Sequence, residues 1–245
     1  MVEKCQFWVA SRGHHADVGG ITPGSMPPDS RTIEEEGVLI TDFLLVRMRV
    51  FREAAFLELM SSGRFPARNP AQNIGDIRAQ IAANEKGVQE LNRMVDQFGL
   101  DVVQSYMDHV RQNAASEVRS VIAKLRPGQF IQELDSGAKI SVQIQPSVRN
   151  VKIDFTGTSS QRPDNFNAPS SIVQAVILYV FRTLVQAEIP LNDGCLEAID
   201  LILPQFSMLA PVAPAAVVAG NVETSQALAN ALYGALAFWP EARVP

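Results

Sequence analysis

Hydrophobic and polar positions fall into blocks of two periods, and the blocks set the expected elements. Residues 6–10, Gln-Phe-Trp-Val-Ala, read as a short strand entering a polar turn. Residues 37–51 are rich in β-formers. Val46, Met48 and Val50 alternate there with Arg47 and Arg49, the period of a half-buried strand. Residues 54–61 suit a short helix, and 63–70 read as connector. Residues 73–98 carry the clearest helical stripe: Ile74, Ile77, Ile81, Val88, Leu91 and Val95 share a face, with most charges elsewhere. Gly99 is placed to end that helix. A second helix is expected over 101–125, with Asp101 as its N-cap and Val102, Tyr106, Val110, Val118 and Val121 facing inward. So short a break predicts a helical hairpin or a bent pair. Arg126-Pro127-Gly128 stops the second helix.

Alternation at period two returns at 139–145 and 151–155, two strands around a turn, a hairpin pattern. A polar loop over 156–169 leads to an apolar helix over 172–186, capped by Ser170 and Ser171. A strand over 198–203, a proline-rich connection and a last helix reaching about Phe238 complete the chain. The expected fold class is mixed α+β. A central pair of long helices (71–127) lies between an N-terminal β/loop region (1–70) and a C-terminal strand/helix region (128–245). Clean βαβ repeats are missing, so no doubly wound sheet is predicted.

Composition narrows the function classes. The 245 residues carry a formal net charge of −5 and no long basic run. Nucleic-acid and membrane-surface binders need a basic face, so neither partner is expected. The most apolar window, 172–185, is short for a bilayer and contains Arg182. Cys5 and Cys195 stand far apart and outside any metal or disulfide pattern, and no apolar leader opens the chain. The expected compartment is cytoplasmic.

Chemistry concentrates in residues 11–30, Ser-Arg-Gly-His-His-Ala-Asp-Val-Gly-Gly-Ile-Thr-Pro-Gly-Ser-Met-Pro-Pro-Asp-Ser. Imidazole and carboxylate are ordinary ligands of Zn, Mn or Fe. Adjacent residues of an extended segment point opposite ways. His14 and His15 therefore share one metal only if the turn bends sharply. Loop histidines satisfied by backbone carbonyls fit the same spacing. His109 lies mid-helix and is expected to face solvent. Residues 21–30 read either as a ligand-wrapping loop or as a rigid crossover. Asp154–Thr158 and Asn165–Pro169 are dense in polar groups that hold either ligands or turns. Gly220–Gln226 opens the last helix, where an anion site and a plain cap by Thr224 are both compatible. No Walker A, G-x-G-x-x-G or G-x-S-x-G sequence occurs.

Residues 11–30 resemble the hydantoinase B/5-oxoprolinase family, the B half of ATP-dependent amidohydrolases. The resemblance continues in order through Asn-Ile-Gly-Asp-Ile-Arg-Ala-Gln-Ile-Ala-Ala-Asn-Glu-Lys-Gly (73–87), Gly-Leu-Asp-Val-Val-Gln-Ser-Tyr-Met (99–107), Asp-Phe-Thr-Gly-Thr (154–158), Asn-Phe-Asn-Ala-Pro (165–169), Ile-Pro-Leu-Asn-Asp-Gly-Cys (189–195) and Gly-Asn-Val-Glu-Thr-Ser-Gln (220–226). It implies ATP-dependent hydrolysis of a cyclic amide, foremost 5-oxo-L-proline to L-glutamate. A hydantoin hydrolase, a ketone-carboxylase-type subunit and a non-catalytic assembly module are the alternatives. It implies His14 as ligand of a divalent metal, Zn or Mn, with His15 and Asp17 as catalytic neighbours. Arg12, Ser25, Asn221 and Thr224 are the expected substrate contacts. ATP is expected on an ATP-binding A-type half, fused or separate. The other expected partners are the small cyclic amide and further copies of the full enzyme in a homo-oligomer. Family segments that precede residue 11 and follow residue 226 are missing. The resemblance thus implies an excised piece with an incomplete metal site, inactive by itself.

Overall fold

The computed structural model describes residues 5–236. Its elements run α1 (Ile33–Glu36), β1 (Val46–Arg47), β2 (Val50–Phe51), α2 (Glu53–Met60), α3 (Pro70–Phe98), α4 (Leu100–Ile122), β3 (Gly128–Glu133), β4 (Lys139–Pro146), β5 (Val151–Asp154), α5 (Ser170–Leu184), β6 (Ile199–Ile202) and α6 (Thr224–Leu236). The fold is α+β with two long helices, as the hydrophobic pattern predicts. The end of the last helix expected near Phe238 lies outside the described residues. The chain divides into two units. One comprises Met1–Pro27 and Glu34–Tyr106, the other Pro28–Ile33 and Met107–Pro245.

The first unit is built on α3. Asn69 caps it by accepting from the Gln72 N–H, and Pro70 opens it where no N–H is needed. Gly99, at φ +84°, ends it. Ile74 and Ile77 enter a small core with Phe56, Met60 and Ala67, lined by Val18, Leu45, Phe51 and Ile81. Beyond Ile81 the stripe leaves the core: Val88 is exposed, Leu91 and Val95 are half-buried, and the neighbouring Met94 and Phe98 are exposed. In α4, Asp101 stands inside the first turn and caps nothing, because the helix already begins at Leu100. Three residues expected to face inward, Val102, Tyr106 and Val110, are exposed, while Val103 is buried. The expected single strand through Val46–Val50 is instead a tight antiparallel hairpin, β1–β2. Met48 and Arg49 form its turn with φ of +50° and +64°. Both positive angles match a type I′ turn, whose usual Asn-Gly signature the sequence lacks. The expected strand at 6–10 is not formed. That segment follows α3, with Val9 against Gly87 and the Ser11 hydroxyl on the Gln80 carbonyl.

The second unit holds a four-stranded sheet in the order β3-β4-β5-β6. The predicted β4–β5 hairpin is present and antiparallel. β6 pairs parallel with β5 after a crossover that contains α5, as a parallel neighbour requires. Strand β3 was not legible and pairs antiparallel with β4. Ile140, Val142, Ile144, Val151 and Ile153 point alternately into one core, with Val173, Ile177, Val180 and Phe181 of α5 and Leu228, Ala231 and Leu232 of α6. Val118, Val121 and Ile122 of α4 join them, which bears out the inward assignment for the later half of that helix. Each such side chain contributes about 1.5–3 kcal/mol on burial. Ser170 and Ser171 lie within α5, and no side chain caps that helix at Pro169.

Candidate functional site

Residues 13–25 form a loop folded around the carboxylate of Asp17. Gly19 and Gly20 take φ of +97° and +89°, and a Cβ on Gly19 would lie 2.2 Å from the Phe65 carbonyl oxygen. Only glycine meets both conditions. The loop is stitched to its surroundings through the backbone: Gly20 N–H to Phe65 O, Ile21 N–H to Glu35 O and Val38 N–H to Val18 O. Asp17 accepts at Oδ1 from Gly19 N–H at 2.9 Å and Arg68 N–H at 3.2 Å. At Oδ2 it accepts from Gly24 N–H at 3.0 Å and the Arg68 guanidinium at 2.8 Å. Burial pushes this carboxyl up. The three N–H groups and the guanidinium outweigh burial and hold it below its ordinary value. Arg68 also donates to the Gly19 and Gly20 carbonyls, so one side chain ties both arms of the turn. The Ser25 hydroxyl donates to Gly19 O and accepts from Val18 N–H, both at 2.7 Å.

His15 sits on the first turns of α3. Its Nδ1 lies 3.2 Å from Asn73 Nδ2 and 3.3 Å from Asp76 Oδ2. Asn73 is buried and donates through Nδ2 to the Asp17 carbonyl at 2.9 Å, while its Oδ1 is buried without a hydrogen-bond partner. His14 and Arg12 are exposed, as is His109. The first unit thus brings His15, Asp17 and Ser25 into one network and adds Arg68, Asn73 and Asp76. None of these three was singled out as a site residue from sequence. Asn73 and Asp76 fall inside the family-like segment that begins at residue 73, and Asn73 left a second signal: a polar residue four positions before Ile77, on the same helical face as the buried stripe.

A family model described as hydantoinase B/oxoprolinase matches residues 1–245. The chain belongs to the hydantoinase B/oxoprolinase family. A 5-oxoprolinase of Dictyostelium discoideum is 40% identical over 240 residues, covering 94% of this chain and 19% of that protein. A 5-oxoprolinase of Saccharomyces cerevisiae is 39% identical over 240 residues, covering 92% of this chain and 19% of that protein. The chain therefore spans about a fifth of the length of these curated relatives. The crystal structure of an ATP-dependent caprolactamase from Pseudomonas jessenii shares the fold, with a TM-score of 0.81 at 23% identity over 95% of this chain and 41% of that one.

Within this hydantoinase B/oxoprolinase chain, the motif residues from Asp154 onward lie in the second unit and mostly hold backbone. Thr224 is buried and donates to the Phe166 carbonyl at 2.6 Å, while Asn221 is exposed. Asn167 is buried, accepts from Arg162 N–H and donates to the carbonyls of Arg162, Asp164 and Ala216. Asn165 donates to Pro28 O and to Ser30. Thr158 exchanges hydrogen bonds with the backbone of Ser141. Of the two readings of these segments, turn-holding describes these contacts. Gly220 permits the approach, since a Cβ there would lie 2.3 Å from the Asn167 carbonyl oxygen.

The described residues do not make a metal site. No group of three His, Cys, Asp or Glu able to hold an ion occurs among them. The Asp17 oxygens already take four donors, and His15 Nδ1 faces Asp76. Among the described residues, no helix is long and apolar enough to cross a membrane.

Proposed function

We propose that this chain supplies the B-type part of an ATP-dependent cyclic-amide hydrolase that opens 5-oxo-L-proline to L-glutamate. The observation that carries this reading is 39–40% identity to two 5-oxoprolinases along more than nine-tenths of the chain. In this reading ATP is bound by an A-type partner half. The full protein is cytoplasmic in this reading, in keeping with two free cysteines.

A lactam carbon is a poor electrophile until its oxygen is phosphorylated. Water then adds to the imidate-like carbon, the ring C–N bond breaks as the nitrogen leaves carrying a proton, and a second water hydrolyses the resulting acyl phosphate to carboxylate and inorganic phosphate. In this reading His15 accepts the proton of the attacking water through a ring nitrogen. Asp17 positions the loop. A carboxylate held down by four donors is a weak base, so the geometry favours anchoring over the proton transfer expected of it. Arg12, whose side chain is exposed, is the proposed substrate contact, and Ser25 shapes the turn. His14 remains the proposed metal ligand, and the further ligands for Zn or Mn come from beyond the described residues.

The test uses the full-length protein that contains this chain. ATP hydrolysis should depend on 5-oxoproline and yield glutamate in step, and His15→Ala should lower kcat at least a hundredfold. Turnover driven by a hydantoin or a ketone but not by 5-oxoproline overturns the substrate. Undiminished turnover in His15→Ala overturns the role of His15.

A further inference from the structure

Two groups compete for one nitrogen of His15, and their chemistry decides its tautomer. Asn73 Nδ2 approaches Nδ1 at 3.2 Å, and Asp76 Oδ2 approaches it at 3.3 Å. The orientation of the Asn73 amide follows from its other bond. A flip would set its oxygen 2.9 Å from the Asp17 carbonyl oxygen, acceptor against acceptor. Its amide nitrogen therefore faces both Asp17 O and His15. A bare Nδ1 would accept from Asn73 but turn its lone pair toward a carboxylate. A protonated Nδ1 donates to that carboxylate, and hydrogen bonds to charged acceptors are about twice as strong as neutral ones. The second arrangement wins.

We propose that Asp76 is a positioning residue that fixes His15 as the Nδ1–H tautomer and leaves Nε2 as the nitrogen with a free lone pair. Asp76 stands on α3 one turn after Asn73, within a helix capped by Asn69 and anchored by Ile74 and Ile77. Its side chain is 39% exposed, against 16% for His15. Asp76 thus sits at the rim, while the ring is held below it. Asn73 keeps its bond to the Asp17 carbonyl in either tautomer. The functional consequence rests on the reading of His15 as the proton acceptor; the tautomer does not.

The test has two arms. In the first, the chain is labelled with ¹⁵N-histidine and held at about pH 8, above the ordinary imidazole pKa. His14→Gln and His109→Gln variants assign the His15 signals. Proton–nitrogen correlation should show Nδ1–H as the major form of His15, the reverse of free histidine. Asp76→Ala should invert the ratio, and Asp76→Asn, which keeps an acceptor without charge, should fall between. A major Nε2–H form in the unaltered chain, or a ratio that Asp76→Ala leaves unchanged, overturns the proposal. In the second arm, Asp76→Ala in the full-length protein should lower kcat roughly ten- to a hundredfold with little change in KM. An inverted tautomer with unchanged kcat upholds the tautomer assignment and overturns His15 as the proton acceptor.

Discussion

At residue scale the loop around Asp17 is organised by one charge and the donors aimed at it. Gly19 and Gly24 deliver N–H groups because their positive φ angles turn the chain back on the carboxylate. Arg68 arrives from another segment to complete the set. A carboxyl lowered on folding contributes stability that is fully present above its ordinary value of 3.8 and is lost as pH falls through the lower folded value. Asp17→Asn removes the charge and turns an amide N–H toward donors. It should cost about 1.5–3 kcal/mol at neutral pH, the size of hydrogen bonds to a charged group. The difference between variant and parent should shrink as pH falls below 3.8. Urea unfolding at a series of pH values measures both. A constant difference down to the acid limit would mean that the carboxylate does not organise the loop.

At element scale the β1–β2 hairpin shows a geometry that its residues do not favour. Met48 and Arg49 both sit at positive φ, each at a cost of about 1–2 kcal/mol for a side chain with a Cβ. The double substitution Met48→Asn, Arg49→Gly supplies the residues that a type I′ turn prefers. It should raise stability by about 1 kcal/mol, read as a higher urea midpoint at unchanged slope. A lower midpoint would mean that the side chains of Met48 and Arg49 matter more than their backbone. The same hairpin explains why the pattern suggested one strand. Alternation of Val46, Met48 and Val50 is compatible with a strand or with a two-residue turn, and only turn residues tell them apart. By contrast β4 and β5 were legible, because one of their faces is buried throughout and Ile140, Val142 and Ile144 alternate cleanly. Strand β3 was not, since Phe130 and Ile131 are adjacent and both exposed at the sheet edge. For the site, the glycine-rich segment with His15 and Asp17 stood out by local density. Arg68 and Asn73 did not, because each meets that segment only through contacts 48 to 58 residues distant in sequence.

At the scale of the whole molecule, stability is unevenly distributed along the two long helices. Helix α3 buries Asn73, Ile74 and Ile77 and then runs on to Phe98 with Val88, Met94 and Phe98 exposed. Helix α4 starts with Val102, Tyr106 and Met107 exposed and ends with Ala114, Val118, Val121 and Ile122 in the larger core. Amphipathic periodicity is therefore present over stretches that have no described core to enter, which is why periodicity alone overestimated their burial. Local opening is cheap where few apolar contacts must break. Hydrogen exchange on the 245-residue chain should accordingly grade along each helix. Amides of β4, β5 and α5 should exchange slowest, and those of α3 before Ile81 at an intermediate rate. Those of α3 beyond Glu85 and of the first two turns of α4 should exchange fastest among the long helices. Ile177 and Phe181 on one side and Phe98 and Tyr106 on the other mark the extremes of burial for this comparison. Equal protection along the whole of α3 would show that the exposed stripe is covered in solution by a contact that the single chain does not display, and self-association measured at the same concentration would identify a second copy as the cover.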